Sequence, residues 1–283
     1  MKRNTFKPFT ILDTKKEIKW YKSRLRHEGL SPNTIASYAW TMTDYLKKYN
    51  GVVSPDNFID YKQKLIEEQC PASVNNRVHG INKYAYVKDI SFHLKNVKIQ
   101  TTQFLENVIS MQDYKYLKKC LKRDGDYFDY FLIWGMGCTG ARVSEIVKLK
   151  VEHIYDGMFS LYGKGMKQRI IFISKAYQKE CMEWLESIGR EDGFIFTEDG
   201  QPMDTRRVEY RVKKLADKYN IDKAVMHPHS FRHLFGKTFY DKSNGNLALL
   251  SDLLGHSSIQ TTRIYCKRSL TEQMQIYNNI VKW

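Results

Sequence analysis

The stretch LSPNTIASYAWTMTDYLKKYNG, residues 30–51, constrains this chain more than any other. Ser31 offers a hydroxyl to the free amides of a starting helix, and Pro32 has the fixed φ that suits the first helical position. Ile35, Tyr38, Ala39, Met42, Tyr45 and Leu46 then recur at intervals of three and four until Asn50-Gly51 breaks the run. That is the period of one face of an α-helix, and such a face needs an apolar surface to lie on. KKEIKWYKSRLRHEG before it and SVNNRVHGINKYAYV after it read as further short helices, with Lys, Arg and Asn on their polar sides. Residues 1–97 are therefore expected to form a small, basic, helical domain.

LKNVKIQTTQFLEN, about residues 94–107, is polar and weakly periodic, and the linker is placed at 98–106. Residues 107–283 mix patterns. DYFDYFLIWGMGCTGARVSEIVKL is helix, glycine turn, helix; MFSLYGKGMKQRIIFIS is two β-rich runs around a glycine turn, the signal of a hairpin. DTRRVEYRVKKLADKY predicts a basic helix with Val208, Val212, Leu215 and Tyr219 on its apolar side. HPHSFRHLFGKTFY and NLALLSDLLGH are helical, the latter ended by Gly255. The expected fold is mainly α with a small β-sheet or hairpin.

Charge points to the class of partner. The chain has 46 Lys and Arg against 31 Asp and Glu in 283 residues, a formal charge of +15, and a positive field of that size favours a polyanion. No apolar run at the N-terminus could serve as a signal-peptide core, and none elsewhere reaches the length of a membrane span. The cysteines (Cys70, Cys120, Cys138, Cys181 and Cys266) are odd in number, widely spaced and without a CxxC pair. That argues against a disulfide framework or a zinc knuckle and for a reducing cytoplasm.

Four patches carry side chains suited to phosphate chemistry. In CTGARVSEIVKL, Arg142 opens a helix and Glu145 lies one turn on, so a carboxylate can orient a guanidinium that fits two phosphate oxygens; alone, such a pair is more often a solvated surface contact. In YGKGMKQR, Lys164 sits between two glycines at the hairpin turn, where it could deliver a proton or simply keep the loop soluble. In HPHSFRH, His229 and Arg232 at i, i+3 would face one ligand together. His229 and His233 at i, i+4 could instead hold a metal, although no third ligand is evident and an arginine lies between them. In LLGHSSIQTTRIY, His256 follows a helix end and Tyr265 comes nine residues later, a nucleophile or one more packed aromatic among nineteen tyrosines.

Taken together and in this order, TGARVSE, GKG, HSFRH and LLGHSSIQTTRIY closely resemble the tyrosine recombinase (phage integrase) family. Phe231, in place of the usual leucine, and Ala141, where bulkier residues are common, are mild departures. The resemblance covers nearly the whole chain and implies a compact, Xer-like architecture: a helical, SAM-like core-binding domain, then an α+β catalytic domain. It implies that Arg142 and Arg232 clamp the scissile phosphate, that Tyr265 attacks it to leave a 3′-phosphotyrosyl enzyme, and that Lys164 protonates the leaving 5′-oxygen. His229 is expected to accept the tyrosine proton, His256 to hydrogen-bond the phosphate, and Glu145 to position Arg142 or an imidazole. Neither a cofactor nor a metal is expected.

The implied partner is double-stranded DNA, contacted by both domains, with TRRVEYRVKK and the polar face of the SPNTIASY helix as candidate contacts. A homotetramer on two DNA sites is expected, the SLTEQMQIYNNIVKW helix docking on a neighbouring subunit, in the cytoplasm at the nucleoid. A type IB topoisomerase and a catalytically silent DNA-binding relative are the alternatives.

Overall fold

The computed structural model describes residues 6–99, 107–162, 168–256, 258–266, 274 and 277–282. The chain divides into two units, Met1–Thr101 and Thr102–Trp283. In the first, helix starts are written in serine and proline. Strand β1 (Phe9–Thr10) leads to helix α1 (Thr14–His27) and then to α2 (Pro32–Lys48), whose first turn is capped by the Ser31 hydroxyl, 3.3 Å from the Thr34 amide. After β2 (Val52–Val53), which pairs with β1, the same device starts α3 (Pro55–Glu68): Ser54 accepts from the Asn57 amide at 3.1 Å. Helix α4 (Pro71–Val87) also begins with proline.

Ile35, Ala39, Met42, Tyr45 and Leu46 are buried as their spacing predicts, and Tyr38 is half-buried. Tyrosine supplies much of this core: Tyr21, Tyr45, Tyr61 and Tyr84 are fully buried. Each hydroxyl has an acceptor, respectively the Gly80 carbonyl, the Val52 carbonyl, Asp44 and Glu17, at 2.7–3.0 Å. A buried hydroxyl without such a partner costs about 1–3 kcal/mol, so these bonds are what let tyrosine serve as core.

The second unit is organised by one helix. Helix α5 (Met111–Arg123) is followed by α6 (Tyr127–Thr139), which is apolar nearly all round and accordingly buried. Phe131 of α6 stacks on Trp184 at 4.9 Å, and its carbonyl accepts from the Tyr177 hydroxyl at 3.0 Å. Asp129 of α6, a buried carboxylate, is held at 2.8 Å by Arg211. Helix α6 ends at Gly140, whose φ of +63° lies in the left-handed region that glycine adopts without penalty.

The chain continues through α7 (Val143–Ile146), α8 (Val151–Asp156), the hairpin β3 (Met158–Tyr162) and β4 (Gln168–Phe172), and α9 (Lys175–Ser187). Strands β3 and β4 pair with Phe159 opposite Ile171 and Leu161 opposite Arg169. Alternation along β4 therefore turns Arg169 and Ile171 inward and leaves Ile170 and Phe172 exposed. A short hairpin, β5 (Thr197–Glu198) with β6 (Gln201–Pro202), precedes α10 (Thr205–Tyr219), α11 (Pro228–Lys242), α12 (Leu247–Leu254) and α13 (Ile259–Thr262). A single 3-10 turn, Arg263–Cys266, closes this run, and residues 277–280 are helical again. The fold is thus mainly α with small antiparallel sheets. Among the described residues no helix is long and apolar enough to cross a membrane.

Truncating Phe131 to alanine should lower the unfolding free energy of the second unit by about 3–5 kcal/mol, through a cavity between α6 and α9. Urea denaturation followed by tryptophan fluorescence, with Trp184 as the neighbouring reporter, measures this directly.

Candidate active site

A helix ends with carbonyls that have no intrahelical partner and with the negative pole of its dipole. Two such ends meet here, and arginines satisfy them. Arg232, from the first turns of α11, donates to the Gly140 carbonyl at 2.6 Å and to the Leu254 carbonyl at 2.7 Å. Arg169, from β4, donates to the Leu253 carbonyl at 2.8 and 3.1 Å and to that of Gly140 at 3.4 Å. Arg142, at the cap of α7, reaches the Gly255 carbonyl at 3.3 Å.

One carboxylate serves all three. Glu145 accepts from the Arg142 amide at 2.7 Å and its guanidinium at 2.8 Å, pairs closely with Arg169, and lies 4.0 Å from Arg232. Burial alone would raise the Glu145 carboxyl, but the Arg142 amide and the Arg169 charge outweigh it and hold the group below the usual carboxylate range. Three guanidiniums against one carboxylate leave excess positive charge. Burial and the charges of Arg142 and Arg169 push even Arg232 down to about 10. Arg232 is 2% exposed, whereas the Arg142 side chain is 43% exposed and is the open edge of the cluster.

His256 follows the end of α12 and joins the cluster through both nitrogens. Its Nε2 lies 3.1 Å from Arg232 and its Nδ1 2.8 Å from the Thr262 hydroxyl. Arginine can only donate, so Nε2 is the unprotonated nitrogen and Nδ1 carries the hydrogen that Thr262 accepts. Burial and the Arg232 charge hold this imidazole down to about 4, which keeps it neutral. His229 is exposed on α11; desolvation and the charges of Arg232, His227 and Arg142 lower it.

Tyr265 lies in the 3-10 turn and is 4% exposed, among Leu250, Leu254, Phe235 and Ile264. Its ring lies over Gly236, where a Cβ would come within 2.4 Å of a ring carbon. Burial pushes the phenol up to about 12, although Arg232 and Arg142 pull the other way. Its hydroxyl stands 3.1 Å from His233 Nδ1. The imidazole in contact with the tyrosine hydroxyl is His233; the His229 ring packs edge-on against His233 at 4.3 Å.

The structure thus brings together Arg142, Glu145, Arg232, His256 and Tyr265, with His229 at the rim. Lys164 lies outside the described residues; the strands that carry its turn are described, and one of them bears Arg169. Arg169, Thr262 and Gly236 carry no role in the sequence reading, and His233 enters it only with His229 as a candidate metal ligand. An inward-facing basic residue in an otherwise apolar strand was the one available signal for Arg169. On α10, Arg211 is paired with Asp129 and Arg207 with Glu198.

Comparison with known proteins gives a consistent result. The model of the phage integrase family matches residues 107–272. The chain is 24% identical over 280 residues to the tyrosine recombinase XerD of Staphylococcus saprophyticus, covering 89% of this chain and 93% of that protein. It is 26% identical over 283 residues to XerD of Staphylococcus aureus, with the same coverage. Among solved structures it is similar to the XerH site-specific recombinase bound to its palindromic difH substrate after cleavage, with TM-score 0.73 at 17% identity over 97% of this chain and 90% of that one. A lambda integrase dimer bound to a COC′ core site superposes with TM-score 0.68 at 14% identity, over 89% of this chain and 97% of that one.

The seat of the tyrosine gives a direct test. Gly236→Ala should displace the Tyr265 ring, expose its hydroxyl and drop its pKa from about 12 toward the free-phenol value of about 10. A pH titration of 13C-labelled tyrosine, with the resonance assigned by Tyr265→Phe, measures the change.

Proposed function

The chain belongs to the phage integrase family, and on that premise we propose how its own side chains divide the work of cutting and rejoining DNA. It is a site-specific DNA recombinase, an enzyme of strand cleavage and rejoining. Arg142 and Arg232 hold the non-bridging oxygens of the scissile phosphate and stabilise the charge that grows on them in the transition state. The Tyr265 oxygen attacks phosphorus, forming a 3′-phosphotyrosyl enzyme and freeing a 5′-hydroxyl. Lys164, which falls between β3 and β4 in the sequence, protonates that leaving oxygen. Glu145 keeps Arg142 in place, and His229 and His256 complete the phosphate pocket. The ester energy is kept in the phosphotyrosyl bond, so rejoining needs no nucleotide.

The observation that carries this reading is the convergence on Glu145 and on two helix ends of both arginines, His256 and the Tyr265 turn, from segments more than 120 residues apart in the chain. Such an enzyme works where DNA is, in the cytoplasm at the nucleoid. It acts as a homotetramer on two duplexes. Met274, Tyr277 and Ile280 of the tail support this, since all three stand more than 60% exposed and offer an apolar edge to a neighbouring subunit.

A nicked suicide duplex, carrying the sequence that the full chain enriches from a random duplex pool, tests the chemistry. Wild type should trap a covalent protein–DNA band in EDTA and Tyr265→Phe should give none; a band that persists in Tyr265→Phe assigns the nucleophile elsewhere. Deleting residues 268–283 should weaken pairing of two sites more than binding to one, and equal loss of both by gel shift would exclude a bridging tail.

A further inference from the structure

We propose that His233 is a catalytic residue of this enzyme, the group that takes the proton of the Tyr265 hydroxyl as its oxygen attacks phosphorus. The inference rests on the reading of Tyr265 as nucleophile. Residues 233 and 236 lie three apart on one face of α11, and the tyrosine is laid across that face. Gly236 makes room for the ring, and His233 Nδ1 meets the hydroxyl at 3.1 Å with the two rings 5.6 Å apart.

The other imidazoles are placed for other tasks. His256 has Nε2 on Arg232 and Nδ1 on Thr262, so neither nitrogen is open to a phenol. His229 packs on the His233 ring. His227 caps α11 through Nδ1, which accepts from the Ser230 amide, and its Nε2 lies 3.2 Å from the Asn107 carbonyl. The contact at Tyr265 also differs in kind from those of Tyr21 and Tyr45, which donate to backbone carbonyls that cannot accept a proton outright. Imidazole can.

The step balances within the site. The Tyr265 O–H bond breaks as an Nδ1–H bond forms, the phenolate oxygen bonds to phosphorus, and the P–O5′ bond breaks with a proton supplied from Lys164. On rejoining, the His233 imidazolium returns its proton to the Tyr265 oxygen. The groups facing His233 are cationic or neutral: His229, His227 and Arg232 from its own helix, His256 from the turn after α12, and Tyr265 itself. Burial first, and then these neighbours, hold it down to about 4 and so keep Nδ1 free to accept at neutral pH. The incoming phosphodiester adds negative charge and raises it, which strengthens the base in the complex. Cleavage must then fall as pH drops through the His233 pKa of the DNA-bound enzyme.

The experiment follows adduct formation on the suicide duplex against pH, for the full chain and for His233→Gln and His233→Ala. Glutamine keeps the size and a hydrogen bond but cannot take a proton. We expect adduct formation by His233→Gln to fall about 10²–10⁴-fold, with DNA affinity unchanged within about twofold and the acid limb of the profile lost. His233→Ala should be partly restored by added imidazole, in proportion to its neutral form. Wild-type rates in His233→Gln overturn the proposal, as do faster rates, which would make His233 a restraint on the tyrosine. A loss that imidazole does not repair, with the acid limb intact in His233→Gln, also overturns it and leaves a packing role. If wild type and Tyr265→Phe form the adduct alike, the nucleophile assignment fails first.

Discussion

Helix ends holding guanidiniums are the interaction on which the rest of this structure depends. The carbonyls of Gly140, Leu253, Leu254 and Gly255 need partners, and Arg232, Arg169 and Arg142 supply them. Each arginine comes from a different element, so the same bonds tie α11, β4 and the start of α7 to the ends of α6 and α12. The apolar girth of α6 is the distant cause, because a helix buried on every side delivers Gly140 to one place. What results is a cluster of fixed positive charge with a single carboxylate, Glu145, to hold its geometry.

Much of this was legible in the sequence. Ser31-Pro32 marked a helix start and β3–β4 read as a hairpin, because caps and alternation are local signals. Arg142, Glu145, Arg232, His256 and Tyr265 stood out through their order and spacing; the structure places Arg142 and Arg232 at Glu145 and His256 at Arg232. Arg169 was not legible, because its partners are backbone carbonyls at 140 and 253, and a carbonyl acceptor leaves no mark on the identity of its residue. The contact of the second histidine of HSFRH with the tyrosine was not legible either, since the sequence reading gave the tyrosine proton to His229. The two histidines sit one helical turn apart, and only the path of the chain from α12 to the 3-10 turn decides that Tyr265 meets His233.

The two units solve the burial of polar atoms differently. The first fills its core with tyrosines whose hydroxyls all find acceptors, so its aromatic content is structural. The second confines its buried charges to paired sites, Asp129 with Arg211 and the arginines with Glu145 and the helix ends. In that setting Tyr265 is the exception, a buried phenol whose neighbour is a base.

Under the nucleophilic role proposed for Tyr265, its seat sets when the enzyme is reactive. A phenol 4% exposed and pushed up to about 12 is a poor nucleophile toward anything that drifts past in solution. Its reactivity belongs to the assembled pocket, where guanidiniums, an imidazole and a phosphate meet at once. In the proposed reaction, selectivity is then built into the ground state of the tyrosine as well as into the choice of site.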